Sequence, residues 1–93
     1  MPCGTFYVSP VSQTDLLGSQ TSEFVSWSGC NYTQVATNIY WGDGNSGPTN
    51  TCVFFGCASG NYTPTHVYGG RGTYHGYAFN NQNNVAYFTV VVV

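Results

Sequence analysis

The chain has 93 residues, 42% of them hydrophobic, so it is long enough for one domain with its own core and too short for two. Only 4% of the residues are charged and the net charge is −2, which excludes the basic patch that nucleic-acid binding requires. No stretch approaches the roughly 20 apolar residues of a spanning helix, so we expect no membrane insertion.

The first strands can be placed by residue type. Residues 5–8 and 21–28 are rich in β-branched and aromatic side chains, which favours strands. The polar residues between them, around 12–15, suit a connection. Residues 1–5 lack the basic and apolar stretches of a signal peptide. The chain is therefore either a mature form or one that reaches the outside by another route, as a virion protein does.

Residues 35–41 show the period-two alternation of a strand with one buried face. We expect Ile39 and Trp41 in the core. A glycine-rich turn follows at residues 42–48, where Asp43 can accept hydrogen bonds from nearby backbone amides.

The second half of the chain continues as strands and turns. Residues 65–68, 73–79 and 85–93 favour strands, separated by glycine-rich and asparagine-rich connections. Helical periodicity is almost absent. About six or seven short strands at this spacing predict an all-β domain, either a sandwich or a small barrel.

The cysteines Cys3, Cys30, Cys52 and Cys57 permit three pairings if all are oxidised. They form neither a Cys-x-x-Cys pair nor a Cys/His pair at zinc spacing, so disulfides are favoured over a metal site. The preferred pairing is Cys3 with Cys30 and Cys52 with Cys57, which closes a short loop. Four buried free thiols are the alternative.

Two short motifs resemble those of the PKD domain family, the immunoglobulin-like module named after polycystic kidney disease. An aromatic residue is followed by Gly-Asp-Gly, and a His-x-Tyr-x-x-x-Gly-x-Tyr stretch comes later. The matching residues are Trp41, Gly42, Asp43, Gly44, His66, Tyr68, Gly72 and Tyr74. The likeness covers roughly residues 39–74 and is weak before Val35.

The resemblance implies a single all-β domain over residues 1–93, an immunoglobulin-like (PKD-like) antiparallel β-sandwich of about seven strands. It also implies a spacer, adhesive unit or ligand-contact domain that is not an enzyme. In such a fold Asp43 and His66 bond to turn backbone, while Tyr68 and Tyr74 pack their rings and direct their hydroxyls to polar partners.

The strand after Tyr74 departs from the family pattern. Small or polar residues occupy the phase that is usually inward and aliphatic, and the large residues His75, Tyr77 and Phe79 occupy the other phase. Either Gly76 marks a bulge that resets the phase, or the aromatic residues face outward as a contact surface.

The sequence has few residues that could take part in catalysis or bind a metal ion. The available titratable groups are Asp15, Glu23, Asp43, His66 and His75. Asp43 and His66 could lie close together, but no nucleophile motif accompanies them, so a structural pair is favoured. The Asp43 loop has one carboxylate where calcium requires several. We expect no catalytic residue, cofactor or metal site.

Carbohydrate binding is the rival hypothesis, because sugar-binding sandwiches stack exposed aromatic rings on pyranose faces. The candidates are Trp27, Tyr32, Tyr62 and Tyr77. Two sequons, at Asn31 and Asn61, are candidate N-glycosylation sites if the protein is secreted.

The last strand, residues 85–93, is apolar in both phases. A strand that is apolar on both faces needs a second layer packed on each face. An uncharged valine run also lacks the charged residues and prolines that usually prevent pairing at a sheet edge. A neighbouring subunit could supply the missing layer or receive the strand by β-augmentation, or the strand could be buried within the domain. The candidate assembly contacts are Tyr77, Phe79, Tyr87, Val91 and Val93.

Together these features predict a non-enzymatic structural or assembly module on an exterior surface. It would be a subunit of an extracellular filament or a protein of the virion surface, and its partners would be copies of itself or a particle or filament protein. The alternative is a carbohydrate-binding or adhesive domain of a secreted protein.

Overall fold

A computed structural model describes residues 2–30, 34–53 and 57–93. The regular structure in these residues consists of strands alone. The predicted glycosylation site Asn31, the candidate Tyr32 and most of the loop between Cys52 and Cys57 lie outside the described residues. The ten strand segments are β1 (Thr5–Ser9), β2 (Ser12–Asp15), β3 (Thr21–Ser22), β4 (Phe24–Ser28), β5 (Gln34–Tyr40), β6 (Asn50–Val53), β7 (Gly60–Tyr62), β8 (Thr65–His66), β9 (Gly72–Asn80) and β10 (Val85–Val92).

The segments form a two-layer sandwich. One layer is a three-stranded sheet in the order β1-β4-β7, and the other is a five-stranded sheet in the order β2-β10-β9-β5-β6. The short pair β3-β8 extends the first layer, because the Glu23 amide donates to the Pro64 carbonyl between the two ladders at 3.2 Å. When β1/β2, β3/β4 and β7/β8 are each counted as one interrupted strand, the described segments make seven strands. The predicted all-β sandwich of about seven strands is confirmed.

The first strand changes sheets midway. β1 pairs antiparallel with β4, the Ser9-Pro10 peptide bond is cis, and β2 then pairs parallel with β10. The expectation of a connection at residues 12–15 was therefore wrong. These polar residues form an edge strand, because Ser12 and Thr14 face solvent while their backbone pairs with the last strand.

The pairing of the central strand β9 decides between a bulge at Gly76 and outward-facing aromatic residues. Its pairing with β10 runs without interruption from Val92↔Gly72 to Val85↔Phe79, so Gly76 is not a bulge. A side chain at this inward position would collide with the Phe88 ring and the Tyr40 carbonyl oxygen, which is the steric reason for glycine. His75, Tyr77 and Phe79 consequently face outward.

The core lies between the two sheets and contains Ile39 and Trp41, as predicted. β10 contributes Phe88, Val90 and Val92, each at most 4% exposed, so one phase of the last strand is buried within the domain. Its second half is also paired on both sides, with β9 and with β2. Of the alternatives for the last strand, burial within the domain holds for one phase, and the second half has no free edge for β-augmentation.

Two disulfides join the segments in the predicted pairing. Cys3–Cys30 links the chain before β1 to the chain after β4, with a sequence separation of 27, and Cys52–Cys57 closes a short loop after β6. The structure has no free cysteine among the described residues, all four cysteines being described. The alternative of buried free thiols is excluded.

Candidate functional site

The aromatic-Gly-Asp-Gly motif forms the turn after β5. Trp41 is buried, and its indole N–H donates to the Gly47 carbonyl at 2.8 Å. Gly42 has a φ of 90°, and a Cβ there would lie 2.5 Å from the His75 carbonyl oxygen, so both backbone conformation and space require glycine. Asp43 accepts a hydrogen bond from the Asn45 amide at 3.1 Å. These contacts hold the turn in one conformation.

Asp43 and His66 do lie together, 2.7 Å apart between Oδ2 and Nε2. The His66 ring stacks on Trp41 with centroids 5.1 Å apart and an interplanar angle of 15°. Burial acts to raise the pKa of Asp43, but hydrogen bonds from His66 and Asn45 outweigh it and hold that pKa below its usual value. The pair therefore favours an ionised Asp43 and fixes the turn to β8.

The two tyrosines of the second motif complete this cluster. Tyr68 donates to the Trp41 carbonyl at 2.7 Å and stacks on Tyr74 with centroids 4.4 Å apart. Tyr74 donates to the Gly70 carbonyl at 2.8 Å, four residues upstream, which is the tyrosine corner of immunoglobulin-like domains. Burial has the largest effect on the pKa of Tyr68 and raises it above its usual value. Gly72, the remaining motif residue, begins β9.

The contacts of this motif cluster hold the turn after β5 against β8 and against the residues between β8 and β9. In the described part of the chain the contacts of His66 are Asp43, Trp41 and Tyr68, with no serine or cysteine hydroxyl or thiol among them. A His–Asp pair without a nucleophile beside it has the base and the orienting group of a triad but nothing to activate.

A second cluster lies on the outer face of the five-stranded sheet, the face turned away from the three-stranded sheet. Residues whose side chains lie there alternate with buried ones and share a face through the strand register. We call this surface the outer face; its members are Ser12, Thr14, Ala36, Asn38, Tyr40, Thr51, Thr73, His75, Tyr77, Phe79, Val85, Tyr87, Thr89 and Val91.

A row of three tyrosines crosses the middle of the outer face. Tyr77 on β9 is the direct cross-strand neighbour of Tyr40 on β5 and of Tyr87 on β10. The ring centroids are 5.3 Å apart for Tyr40–Tyr77 and 6.0 Å apart for Tyr77–Tyr87, and Phe79 packs beside Tyr77 at 5.6 Å. Tyr77 is 36% exposed and Tyr87 72% exposed. The row is an exposed aromatic patch supported by regular strands.

The candidate assembly contacts fall on this surface or at its end. Tyr77, Phe79, Tyr87 and Val91 share the outer face, and the structure brings them together. Val93 is 50% exposed just past β10, where its amide donates to the Asp15 carbonyl at 2.9 Å.

Two of the carbohydrate-stacking candidates pack in or against the core: Trp27 is buried and Tyr62 is half-buried. Trp27 is 2% exposed. Tyr62 packs edge-on against it at 6.2 Å and donates to the Pro48 carbonyl, and burial raises the pKa of Tyr62 to about 12. Both side chains belong to the inward phase of the three-stranded sheet, since Tyr62 is in register with the buried Val25 and the Trp27 ring lies over Gly60. Tyr77 is the exposed candidate of the described set.

The sequon residue Asn61 is exposed on β7, in register with Ser26 on the solvent side of the three-stranded sheet. It therefore lies on the opposite side of the sandwich from the outer face. A glycan on Asn61 would leave the tyrosine row uncovered.

Glu23 is a buried residue that the sequence reasoning did not single out. It is 0% exposed, and its Oε2 accepts a hydrogen bond from the Gln13 side chain at 2.7 Å, while Oε1 has no hydrogen-bond partner in the described residues. Burial raises the pKa of Glu23 to about 7, Asp15 acts in the same direction, and the Gln13 hydrogen bond opposes them. The sequence pattern could have predicted this burial, because Thr21, Glu23 and alternate residues after them share the buried phase of one strand.

The described residues contain no group of three or more His, Cys, Asp and Glu side chains placed to hold a metal ion. Within the same ranges, no helix is long and apolar enough to cross a membrane.

No protein-family model matches the sequence, and no curated protein matches it. Solved structures do. A crystal structure of a CARDB domain from Pyrococcus furiosus, in complex with di-metal ions, has a TM-score of 0.73 at 18% identity, over 96% of this chain and 91% of that one. A solution NMR structure of the same domain has a TM-score of 0.71 at 15% identity, over 96% and 93% of the two chains.

The PKD domain of an M14-like peptidase from a Thermoplasmatales archaeon is also similar, with a TM-score of 0.66 at 16% identity over 97% of each chain. At these identities the likeness is one of fold. The PKD neighbour agrees with the family that the two short motifs resemble. The chain therefore has the immunoglobulin-like β-sandwich fold that PKD and CARDB domains share.

Proposed function

We propose that the protein is a non-enzymatic structural module on an exterior surface, a subunit of an extracellular filament or a decoration protein of a virion. It acts through contacts made by the outer face. Its partners are copies of itself or a protein of the particle or filament that carries it.

The observation that carries this proposal is the tyrosine row. A large exposed aromatic surface on regular strands is costly unless it is covered, and tyrosine is among the residues enriched where proteins meet. Tyr40, Tyr77 and Tyr87 are held in position by their strand neighbours, so little side-chain entropy is lost when a partner binds.

Two further features support an exterior location. Disulfides persist in oxidising surroundings, and this small domain has two. A surface with 4% charged residues lacks much of the repulsion that keeps soluble monomers apart, so it tolerates close neighbours. The absence of a nucleophile beside His66 in the described contacts supports a non-catalytic role.

The test compares two exposed tyrosines on opposite sides of the sandwich. Tyr87→Ser removes the most exposed ring of the row, and Tyr7→Ser removes a ring that is 46% exposed on the solvent side of the three-stranded sheet. We expect Tyr87→Ser to weaken retention on native filaments or particles by roughly tenfold or more, because truncating an anchoring tyrosine typically costs about 2 kcal/mol.

The measurement is the bound fraction of each variant after pelleting the native assemblies, with electron micrographs to show what they are. Tyr7→Ser is the matched control and should bind as the unmodified chain does. Equal retention of both variants, or a chain that never pellets with any assembly, contradicts the proposal.

Carbohydrate binding is the second candidate, because Tyr87 and Tyr77 offer exposed rings next to each other. A glycan binder should remain monomeric and be retained on a polysaccharide column. Loss of that retention in Tyr87→Ser, with no association to particles, would favour this candidate over assembly.

A further inference from the structure

The outer face has no covering layer in the described part of the chain. The inner side of the same sheet packs on the three-stranded sheet, whereas Tyr77, Tyr87 and Val85 on the outer side are 36%, 72% and 46% exposed. Because these residues are adjacent in the strand register, they form one patch rather than scattered positions.

The three acidic residues of the chain lie away from this patch, and the one arginine, Arg71, precedes β9. Among the described residues, the outer face includes no Asp, Glu, Lys or Arg. Asp15 accepts a hydrogen bond from Thr21 toward β3, Glu23 is buried, and Asp43 is paired with His66. A face without ions cannot select a partner by complementary charge, and it does not repel an identical face.

The area of the outer face is close to the lower limit for a specific contact. With strands ~4.8 Å apart and a rise of ~3.3 Å per residue, the five strands give the outer face a flat footprint of roughly 500 Å². Protruding side chains add accessible surface to this footprint. The total approaches the roughly 600 Å² per partner at which specific interfaces begin.

We infer that two copies of this chain pack outer face to outer face about a two-fold axis near Tyr77. β9 is the middle strand of the five, and Tyr77 is the middle ring of the row. A two-fold axis in the plane between the sheets, whether along β9 or across it, places Tyr77 against Tyr77 of the second copy. The inference rests on the contact role proposed above and names the partner.

The test uses opposite charges at the axis. Tyr77→Glu alone and Tyr77→Lys alone each place like charges against each other, and each should raise the dissociation constant of the dimer by at least about tenfold. An equimolar mixture of the two variants should recover a heterodimer, because the charges are then complementary. With one of the two variants labelled with ¹⁵N, native mass spectrometry separates the three possible pairs by mass and gives their proportions, and sedimentation velocity gives the fraction of chains that are dimeric.

The controls are Tyr7→Glu and Tyr7→Lys, which place the same charges on the opposite side of the sandwich. Each control variant should dimerise with the same dissociation constant as the unmodified chain. Circular dichroism of every variant establishes that it is folded.

The outcomes separate the two proposals. A monomeric unmodified chain, or a mixture that forms no more heterodimer than either variant alone, overturns the inference. If that monomeric chain still binds particles or filaments, and Tyr87→Ser abolishes the binding, the partner is another protein and the proposed function stands. If the chain neither self-associates nor binds an assembly, both proposals are wrong.

Discussion

Glu23 is a carboxyl group enclosed between the two sheets, in a chain with three acidic residues. Its only hydrogen bond in the described residues comes from Gln13, which also donates to the Ser22 carbonyl and so ties β2 to β3. A buried carboxylate with one unpaired oxygen is unfavourable, and the protonated acid is the form that the site accommodates. The ionisation of Glu23 is therefore linked to the docking of β2 on the sandwich.

The sign of the pH dependence follows from this linkage. The pKa of Glu23 is raised from 4.5 to about 7 in the folded chain, so its contribution to stability is fully present below the unfolded value and is lost as the pH rises through about 7. Glu23→Gln retains the shape and an acceptor for Gln13 but cannot ionise. We expect this variant to be more stable than the unmodified chain at pH ~8.5 by about 3 kcal/mol at most, which for a domain of this size is at most roughly 10–20 °C in Tm.

Thermal unfolding at acid and alkaline pH measures this effect. The Tm of the unmodified chain should fall between pH ~5 and ~8.5, and that of Glu23→Gln should fall less. Identical pH profiles for the two proteins would show that Glu23 is not the titrating group.

At the scale of the strand, Gly76 shows what a local sequence leaves undetermined. The residues of β9 are compatible with a bulge and with a flat strand, and the choice is made by Phe88 on β10 and the Tyr40 carbonyl on β5, which fill the space beside Gly76. Both of these come from neighbouring strands. From the sequence alone, outward-facing aromatic residues were therefore one of two alternatives, the other being a bulge at Gly76.

Other elements were predictable to different degrees. The alternation in β5 is local, so it placed Ile39 and Trp41 in the core correctly. The strand β2 is polar throughout and exists because its backbone pairs with the end of β10, a contact between distant parts of the chain. Short motifs fixed the turn around Asp43, while the tyrosine row required knowing that β5, β9 and β10 are neighbours.

A substitution at Gly76 tests this account of β9. Gly76→Ala places a methyl group against the Phe88 ring and the Tyr40 carbonyl, and overpacking of this kind costs typically 1–3 kcal/mol, so we expect a loss of about 2 kcal/mol. Gly69→Ala is the matched control, because a Cβ there meets no atom within 4 Å. Urea unfolding of both variants gives the two free energies, and an equal, small loss in both would contradict the steric explanation.

At the scale of the molecule, the sandwich has two different sides. The solvent side of the three-stranded sheet presents Ser26 and the sequon residue Asn61, while the outer face presents the tyrosine row. This asymmetry suits a module that is packed on one side and exposed on the other. Such a role requires a fold that withstands conditions outside the cell, and a small core with few ion pairs gains much of that resistance from covalent links.

The two disulfides should contribute unequally. Cys3–Cys30 closes a loop with a sequence separation of 27, and Cys52–Cys57 one with a separation of 5. Since loop-closure entropy in the unfolded chain grows with loop length, the first should stabilise the fold by about 3.5 kcal/mol and the second by about 2 kcal/mol. Only the first joins β1 to β4 across the start of the sandwich.

Paired serine variants test this order. The double variant Cys3→Ser/Cys30→Ser should lose more stability in guanidinium unfolding than Cys52→Ser/Cys57→Ser, by about 1.5 kcal/mol. The tyrosine row lies on β5, β9 and β10, which the first disulfide does not join, so a Cys3→Ser/Cys30→Ser chain that stays folded should keep the contacts proposed for this row. A larger loss from the short loop would show that this bond stabilises the folded state directly, through the buried Cys57, rather than through the entropy of the unfolded chain.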